Sequence, residues 1–182
     1  MKTAAKAIPM TLLLAMFAAL ILNASAMAQT DATDKRAVQH YNIGKKGQKP
    51  ALQGYDPVAY FKEGGGKATK GKKDFELRHE GVTYRFSSQA NLDRFRNNPD
   101  RYEPAYGGWC AYAMAQGKGD KVSINPKFFV VDEGRLYVFF KSTFNNTRSK
   151  WNKKPAELEK KADANWKTIT GETPRNSKLT RP

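Results

Sequence analysis

The chain has 182 residues, of which 32 are Lys or Arg and 17 are Asp or Glu, giving a formal charge of +15. Its hydrophobic content of 40% is typical of a packed domain rather than a disordered chain. The single cysteine excludes an intrachain disulfide, and together with only two histidines it excludes a four-ligand Cys/His zinc site.

The N-terminus has the pattern of an export signal. Lys2 and Lys6 precede an apolar run at residues 10–22, which is too short to span a bilayer comfortably. Ala26-Met27-Ala28 follows as a cleavage motif. We predict a signal peptide over residues 1–28, cleaved near Ala28, and a periplasmic or secreted mature protein of charge +13. An uncleaved signal anchor is the alternative.

The rest of the chain divides into three parts. Residues 29–50 are polar and predict an extended lead-in, residues 51–170 predict the domain, and residues 171–182 predict a disordered basic tail. The clearest hairpin lies in the domain. Phe75, Leu77 and His79 alternate with polar residues, and the same alternation resumes after a turn at Glu80-Gly81.

Helices and a second hairpin fill the second half. Ser88 is a good N-cap for a helix that ends at Pro99, and Pro155 begins a final helix that Gly171 ends. Between them the pattern predicts a short helix at 109–116, strands at 128–131 and 136–140, and a helix at 143–152. We therefore predict a single α+β domain, with a small antiparallel sheet from two hairpins and helices packed around it.

Two segments resemble the YHS domain family. They are Asp56-Pro57-Val58-Ala59 and the sequence YRFSSQAN at residues 84–91, which continues to Phe95, Pro99 and Tyr102. The metal-binding form of that family carries cysteines where this chain has Ala59, Ser87 and Asn91. The resemblance therefore implies the fold of the family without its metal-binding thiolates, and we expect no structural zinc.

A closer resemblance is to the exported YHS domain-containing proteins. Their motifs GYDPVAYF, YGG(Y/W)CAYA and KADANW stand here at residues 54–61, 106–113 and 161–166. The resemblance covers residues 51–167. Because the family includes metal-binding members, the resemblance suggests a role with metals, but it implies no specific activity.

Cys110 is the strongest candidate site residue. A thiolate at Cys110 and a thioether at Met114, four residues later on one helix face, suit Cu(I), so we name copper as the candidate metal. His79 is a further candidate metal ligand. The alternative for Cys110 and Met114 is core packing, and for His79 a hydrogen-bonded core or edge position.

Tyr55, Asp56 and Tyr60 form a second candidate site, in which a carboxylate and two phenols could orient a small ligand. The structural alternative is that Asp56 makes a turn before Pro57 while the tyrosines cover the sheet.

No nucleotide-binding loop, serine-hydrolase elbow or zinc-protease motif is present in the sequence. We therefore predict an exported, non-catalytic binding domain for a metal ion or small ligand near Cys110. Two alternatives remain: a thiol-dependent redox protein or enzyme using Cys110, with His79 as its base, and a basic module associated with the cell envelope. For the last, anionic envelope components are more suitable partners than nucleic acid.

Overall fold

The computed structural model describes residue 30 and residues 33–175. The predicted signal peptide lies outside the described residues, as does the end of the predicted tail from residue 176 onward. Among the described residues, no helix combines the length and apolar content that crossing a bilayer requires.

Two β-hairpins and several helices alternate along the chain, which confirms the α+β class. Three short 3-10 helices, at Ala51–Gly54, Val58–Tyr60 and Lys62–Gly64, precede the first hairpin. The remaining elements are α1 (33–40), β1 (Lys72–His79), β2 (Val82–Phe86), α2 (Gln89–Asn97), α3 (Pro99–Tyr102), α4 (Ala111–Met114), β3 (Asn125–Asp132), β4 (Arg135–Phe139), α5 (Thr147–Trp151) and α6 (Pro155–Thr170).

Both predicted hairpins form, and each is tied by a left-handed turn. Glu80 and Gly81 have φ angles of 45° and 80°, and Glu133 and Gly134 repeat these values. A two-residue turn with two positive φ angles matches the right-handed twist of the strands it joins. Along β1, Phe75, Leu77 and His79 are half-buried while their neighbours are exposed, as the alternation predicted.

The hairpins do not combine into one sheet; β1–β2 and β3–β4 are separate two-stranded sheets in the described part of the chain. The segment before α4 pairs with β4 instead, through parallel bridges between Pro104 and Leu136 and between Cys110 and Val138. This segment occupies the edge of β4 that the first hairpin would need.

Helix ends follow the predicted caps where those caps are local. The Ser88 hydroxyl accepts a hydrogen bond from the Asn91 amide at 3.3 Å, and Gly171, with φ 75°, ends α6. The helix predicted at 109–116 is shorter, because Cys110 stays extended while its amide donates to Val122 O at 3.0 Å. The helix predicted at 143–152 is also shorter, because residues 142–145 make a turn first.

The predicted lead-in is not extended, since residues 33–40 are helical. Ala37, Tyr41 and Ile43 belong to the hydrophobic core, so packing begins before residue 51. The amide of Asn42 donates to Gly107 O at 2.8 Å and thereby joins this segment to the rest of the domain. The sequence alone does not indicate this helix, because only Ala37, Val38, Tyr41 and Ile43 interrupt a polar stretch.

The beginning of the predicted basic tail also packs on the domain. The Arg175 guanidinium forms ion pairs with buried Glu103 at 2.5 Å, with Glu80 at 2.8 Å and with Asp100 at 2.9 Å. Burial raises the pKa of Glu103, while the nearby Arg175 charge opposes that shift. Three carboxylates on one guanidinium explain why residues 171–175 follow the surface of the domain.

A buried guanidinium joins β4 to the C-terminal helix. The Arg135 side chain is 0% exposed, forms an ion pair with Glu159, and reaches Asp163 Oδ1 at 2.8 Å. Its charge also lies 5.2 Å from the ring centre of Tyr137 and 5.7 Å from that of Tyr106. These contacts replace the water that a buried cation loses.

We predict that Arg135→Ala lowers the free energy of unfolding by about 3–5 kcal/mol, because it leaves two carboxylates facing an empty buried site. Urea unfolding followed by tryptophan fluorescence measures the loss. Arg96→Ala is the matched control, since Arg96 pairs with Asp93 while 55% of its side chain is exposed, and should cost about 0–1 kcal/mol. Equal losses for the two variants would contradict this role of Arg135.

Candidate functional site

Asp56 belongs to the polar–aromatic cluster predicted from the sequence, and its side chain is fully buried. Pro57 follows it and favours a turn, so the carboxylate folds back over its own backbone. Oδ1 accepts hydrogen bonds from the amides of Val58 at 2.9 Å and Ala59 at 3.2 Å. This oxygen therefore fixes the turn that leads into the second 3-10 helix.

The other oxygen of Asp56 reaches across the domain to the junction of β2 and α2. Oδ2 accepts from the Ser87 amide at 2.8 Å, from the Ser87 hydroxyl at 2.7 Å and from Asn91 Nδ2 at 2.7 Å. Arg94 donates to Asn91 Oδ1 at 3.1 Å, which orients the Asn91 amide with its nitrogen toward Asp56. We call Asp56, Ser87 and Asn91 the Asp56 cluster.

Asp56 accepts hydrogen bonds from all three residues, Ala59, Ser87 and Asn91, that stand where the resemblance to metal-binding YHS domains implies cysteines. Ala59 offers no ligating side-chain atom, and the Ser87 hydroxyl and Asn91 amide both donate to the carboxylate. These residues do not fit a thiolate metal site. The arrangement instead satisfies a buried carboxylate with five donors, which is what keeps such a group inside a protein.

The tyrosines of the second predicted site face different surroundings. Tyr60 is buried, its hydroxyl donates to Pro126 O at 3.0 Å, and burial raises its pKa well above the usual range. Tyr55 is half-buried, and the Lys70 ammonium lies 4.9 Å from its ring centre. Asp56 and Tyr60 thus use their polar atoms internally, and a ligand role for the three residues stays a prediction.

Cys110 is 0% exposed and its sulfur is hydrogen-bonded on two sides. Sγ accepts from the Phe140 amide at 3.3 Å and lies 3.3 Å from the Thr147 hydroxyl. Because that hydroxyl already donates to Phe140 O at 2.8 Å, the thiol hydrogen is the one shared with Thr147. Cys110 therefore fastens the end of β4 to the start of α5.

The other proposed metal ligands, Met114 and His79, are buried and half-buried respectively. Met114 is 0% exposed, and its amide donates to Cys110 O at 2.9 Å. His79 is half-buried, with its ring edge-on to Phe95 at 5.9 Å between ring centres. Among the described residues, no three His, Cys, Asp or Glu side chains are close enough together to hold a metal ion. Metal binding at these residues stays a prediction.

None of the six predicted site residues lines either of two surface pockets. One, of about 380 Å³, lies beside α1 and includes Val38 and Arg78 in its lining. The other, of about 500 Å³, lies between α6 and the following segment, near Ala156 and Pro174. Neither pocket was signalled by a motif in the sequence.

We predict that native Cys110 reacts with iodoacetamide only as fast as the domain opens, because its sulfur is enclosed and hydrogen-bonded. Mass spectrometry of alkylated protein, with and without urea, measures this. Ser123→Cys in a Cys110→Ser background places a thiol at an exposed position and is the reactive control.

The wild type and the single variant Cys110→Ser test copper binding. If Cys110 holds Cu(I), the wild type must compete with a Cu(I) chelator better than Cys110→Ser does. Fast alkylation of the native thiol, or such a difference in competition, would contradict a purely structural Cys110.

Comparison with known proteins gives a family match, which covers part of the chain. The family model for the YHS domain matches residues 64–106, from the end of the third 3-10 helix through α3. The match includes Ser87 and Asn91, begins after Asp56 and Ala59, and ends before Cys110. Neither the curated proteins nor the solved structures give a match. Residues 64–106 therefore match the YHS domain, and the rest of the chain lies outside that match.

Proposed function

We propose that this protein is an exported, non-catalytic binding module that attaches to anionic membrane surfaces through its exposed cations. The observation that carries the proposal is the separation of charge between interior and surface. Two carboxylates are buried, whereas only one of the described Lys and Arg side chains is.

The buried charges illustrate this separation. Asp56 and Glu103 are 0% and 1% exposed, and neither contributes its charge to the surface directly. Among the described Lys and Arg residues, Arg135 alone is buried. The surface that a partner meets is therefore at least as basic as the formal charge indicates, and such a surface attracts polyanions over a distance.

The exposed cations are grouped along the chain. The loop at residues 62–73 carries five lysines and Glu63 as its one acid before Asp74. Residues 134–156 carry six basic residues and no Asp or Glu. Arg135 is buried and paired with Glu159 and Asp163, and the Lys154 ammonium lies 3.5 Å from Glu157, so Lys141, Arg148, Lys150 and Lys153 supply most of the positive surface of this stretch.

Export and the absence of catalysis are part of the proposal. The charged start, short apolar run and small-residue motif of residues 1–28 support export, which would bring the mature protein to the envelope. The internal hydrogen bonds of Cys110 and Asp56 support a binding role over chemistry at these residues. Anionic lipid head groups are then the partner of matching charge.

We predict that the chain beginning at Gln29 sediments with vesicles containing phosphatidylglycerol at low salt and not with pure phosphatidylcholine vesicles. Binding should fall steadily with added NaCl, since exposed charges are screened beyond about 8 Å at physiological ionic strength. This chain lacks the apolar run at residues 10–22, so that run cannot itself bind lipid, and it retains every described residue.

No binding at low salt, or binding that is the same in high salt, would contradict the proposal. N-terminal sequencing of protein recovered from the cell envelope tests export separately, and a retained Met1 would contradict it.

A further inference from the structure

Phe144 is the most exposed large hydrophobic side chain in the described part of the chain. It is 99% exposed, whereas Val38, the other exposed large hydrophobic residue there, is 38% exposed. Single apolar residues on a surface are common and by themselves indicate nothing. The backbone and the charges around Phe144 distinguish it.

The backbone holds Phe144 at the tip of a closed turn. The Ser142 amide donates to Asn145 O at 2.9 Å, and Lys141 forms an antiparallel bridge with Asn146. We call residues 141–146 the Phe144 turn. A turn with these two closures presents the ring in one direction instead of leaving it on a loose loop.

The base of the Phe144 turn is anchored inside the protein. The Thr147 amide donates to Phe140 O at 3.2 Å and its hydroxyl donates to the same oxygen at 2.8 Å. The Cys110 sulfur contacts both residues, accepting from the Phe140 amide at 3.3 Å. The buried thiol and hydroxyl therefore support a surface feature that neither residue reaches itself.

Cations lie on both sides of the turn in sequence. Lys141 opens it, and Arg148 and Lys150 follow it within α5. The Arg148 guanidinium lies 5.2 Å from the Phe128 ring centre, and the Lys150 ammonium lies 5.7 Å from that of Tyr112. Stacking on half-buried rings positions these long side chains while their charged ends remain near water.

We propose that the Phe144 turn inserts the Phe144 ring into the interface of an anionic bilayer, while Lys141, Arg148 and Lys150 contact the lipid head groups. The inference rests on the proposed function and names the surface through which it acts. One apolar ring among cations suits a fluid interface that closes around it. A protein partner would need a contiguous buried area of about 800 Å² on each side, with an apolar centre.

The first test compares partition onto phosphatidylglycerol vesicles. Phe144→Ser should reduce the partition coefficient of the chain from Gln29 about tenfold, because the variant loses the transfer of one aromatic ring from water. Val38→Ser, the matched exposed hydrophobic control, should leave partition unchanged. Urea unfolding of both variants checks the fold, which Phe144→Ser should leave at wild-type stability because the ring has almost no protein contact.

The second test measures depth. Phe144→Trp should show fluorescence quenching by vesicles whose acyl chains are brominated, beyond any quenching of the wild type, whose own tryptophans are buried or half-buried. Lys141→Gln/Lys150→Gln should weaken binding more than the equally charged Lys45→Gln/Lys46→Gln.

The outcomes separate the two proposals. If wild type does not bind the vesicles, the proposed function fails and the insertion fails with it. If wild type binds but Phe144→Ser binds equally well, or the indole of Phe144→Trp is not quenched, insertion alone is overturned and the binding is purely electrostatic. Tenfold weaker partition together with quenching establishes insertion.

Discussion

The buried carboxylate of Asp56 is the interaction on which the domain depends most. Two oxygens accept five hydrogen bonds, from the Val58 and Ala59 amides on one side and from Ser87 and Asn91 on the other. A carboxylate deprived of water is tolerated inside a protein only when such donors replace it. The turn after Asp56 and the junction of β2 and α2 must therefore assemble together.

Ser87 and Asn91, which donate to Asp56, stand where the resemblance to metal-binding YHS domains implies cysteines. A metal ion and a carboxylate solve the same problem, since either can draw several segments of chain to one point. The ligands differ in sign: a cation requires thiolates or other acceptors, whereas Asp56 requires donors. The Ser87 hydroxyl and the Asn91 amide supply donors, and Ala59 contributes only its backbone N–H.

The Cys110 sulfur, like the Asp56 carboxylate, makes its hydrogen bonds inside the domain. Its position in a glycine-preceded motif made it the leading candidate for metal or redox chemistry, yet the sulfur is hydrogen-bonded to the two residues that close the base of the Phe144 turn. Asp56 and Cys110, the leading candidates from the sequence, therefore connect separate elements of the fold. On the described surface, the features that suit an anionic partner are the exposed cations and the Phe144 ring.

Local patterns predicted the local structure. Alternation along β1, the Ser88 cap and the Pro155–Gly171 limits of α6 all appear as expected, because each depends on residues a few positions apart. The convergence of Asp56 with Ser87 and Asn91 spans 31 and 35 residues, and the contacts of Cys110 with Phe140 and Thr147 span 30 and 37. No periodic pattern in the sequence predicts these long-range contacts.

Two regions differ from the structure predicted from the sequence, and both differ for the same physical reason. The helix at 33–40 has little apolar content of its own, and its burial depends on partners such as Gly107 and Trp109 far along the chain. The single predicted sheet became two because the segment at 104–110 took the edge of β4. In both regions, contacts with residues distant in the sequence determine a structure that local composition does not predict.

The most direct measurement of the central claim is the unfolding free energy of Asp56→Asn in buffer containing a metal chelator. Asn places an NH2 group against the donors of Ser87 and Asn91, so we expect a loss of about 3 kcal/mol relative to the wild type, which itself stays folded in chelator. Asp74→Asn, the same change at an exposed position, should cost less than about 0.5 kcal/mol. Unfolding of the wild type by chelator, or equal stability of Asp56→Asn and Asp74→Asn, would contradict the account.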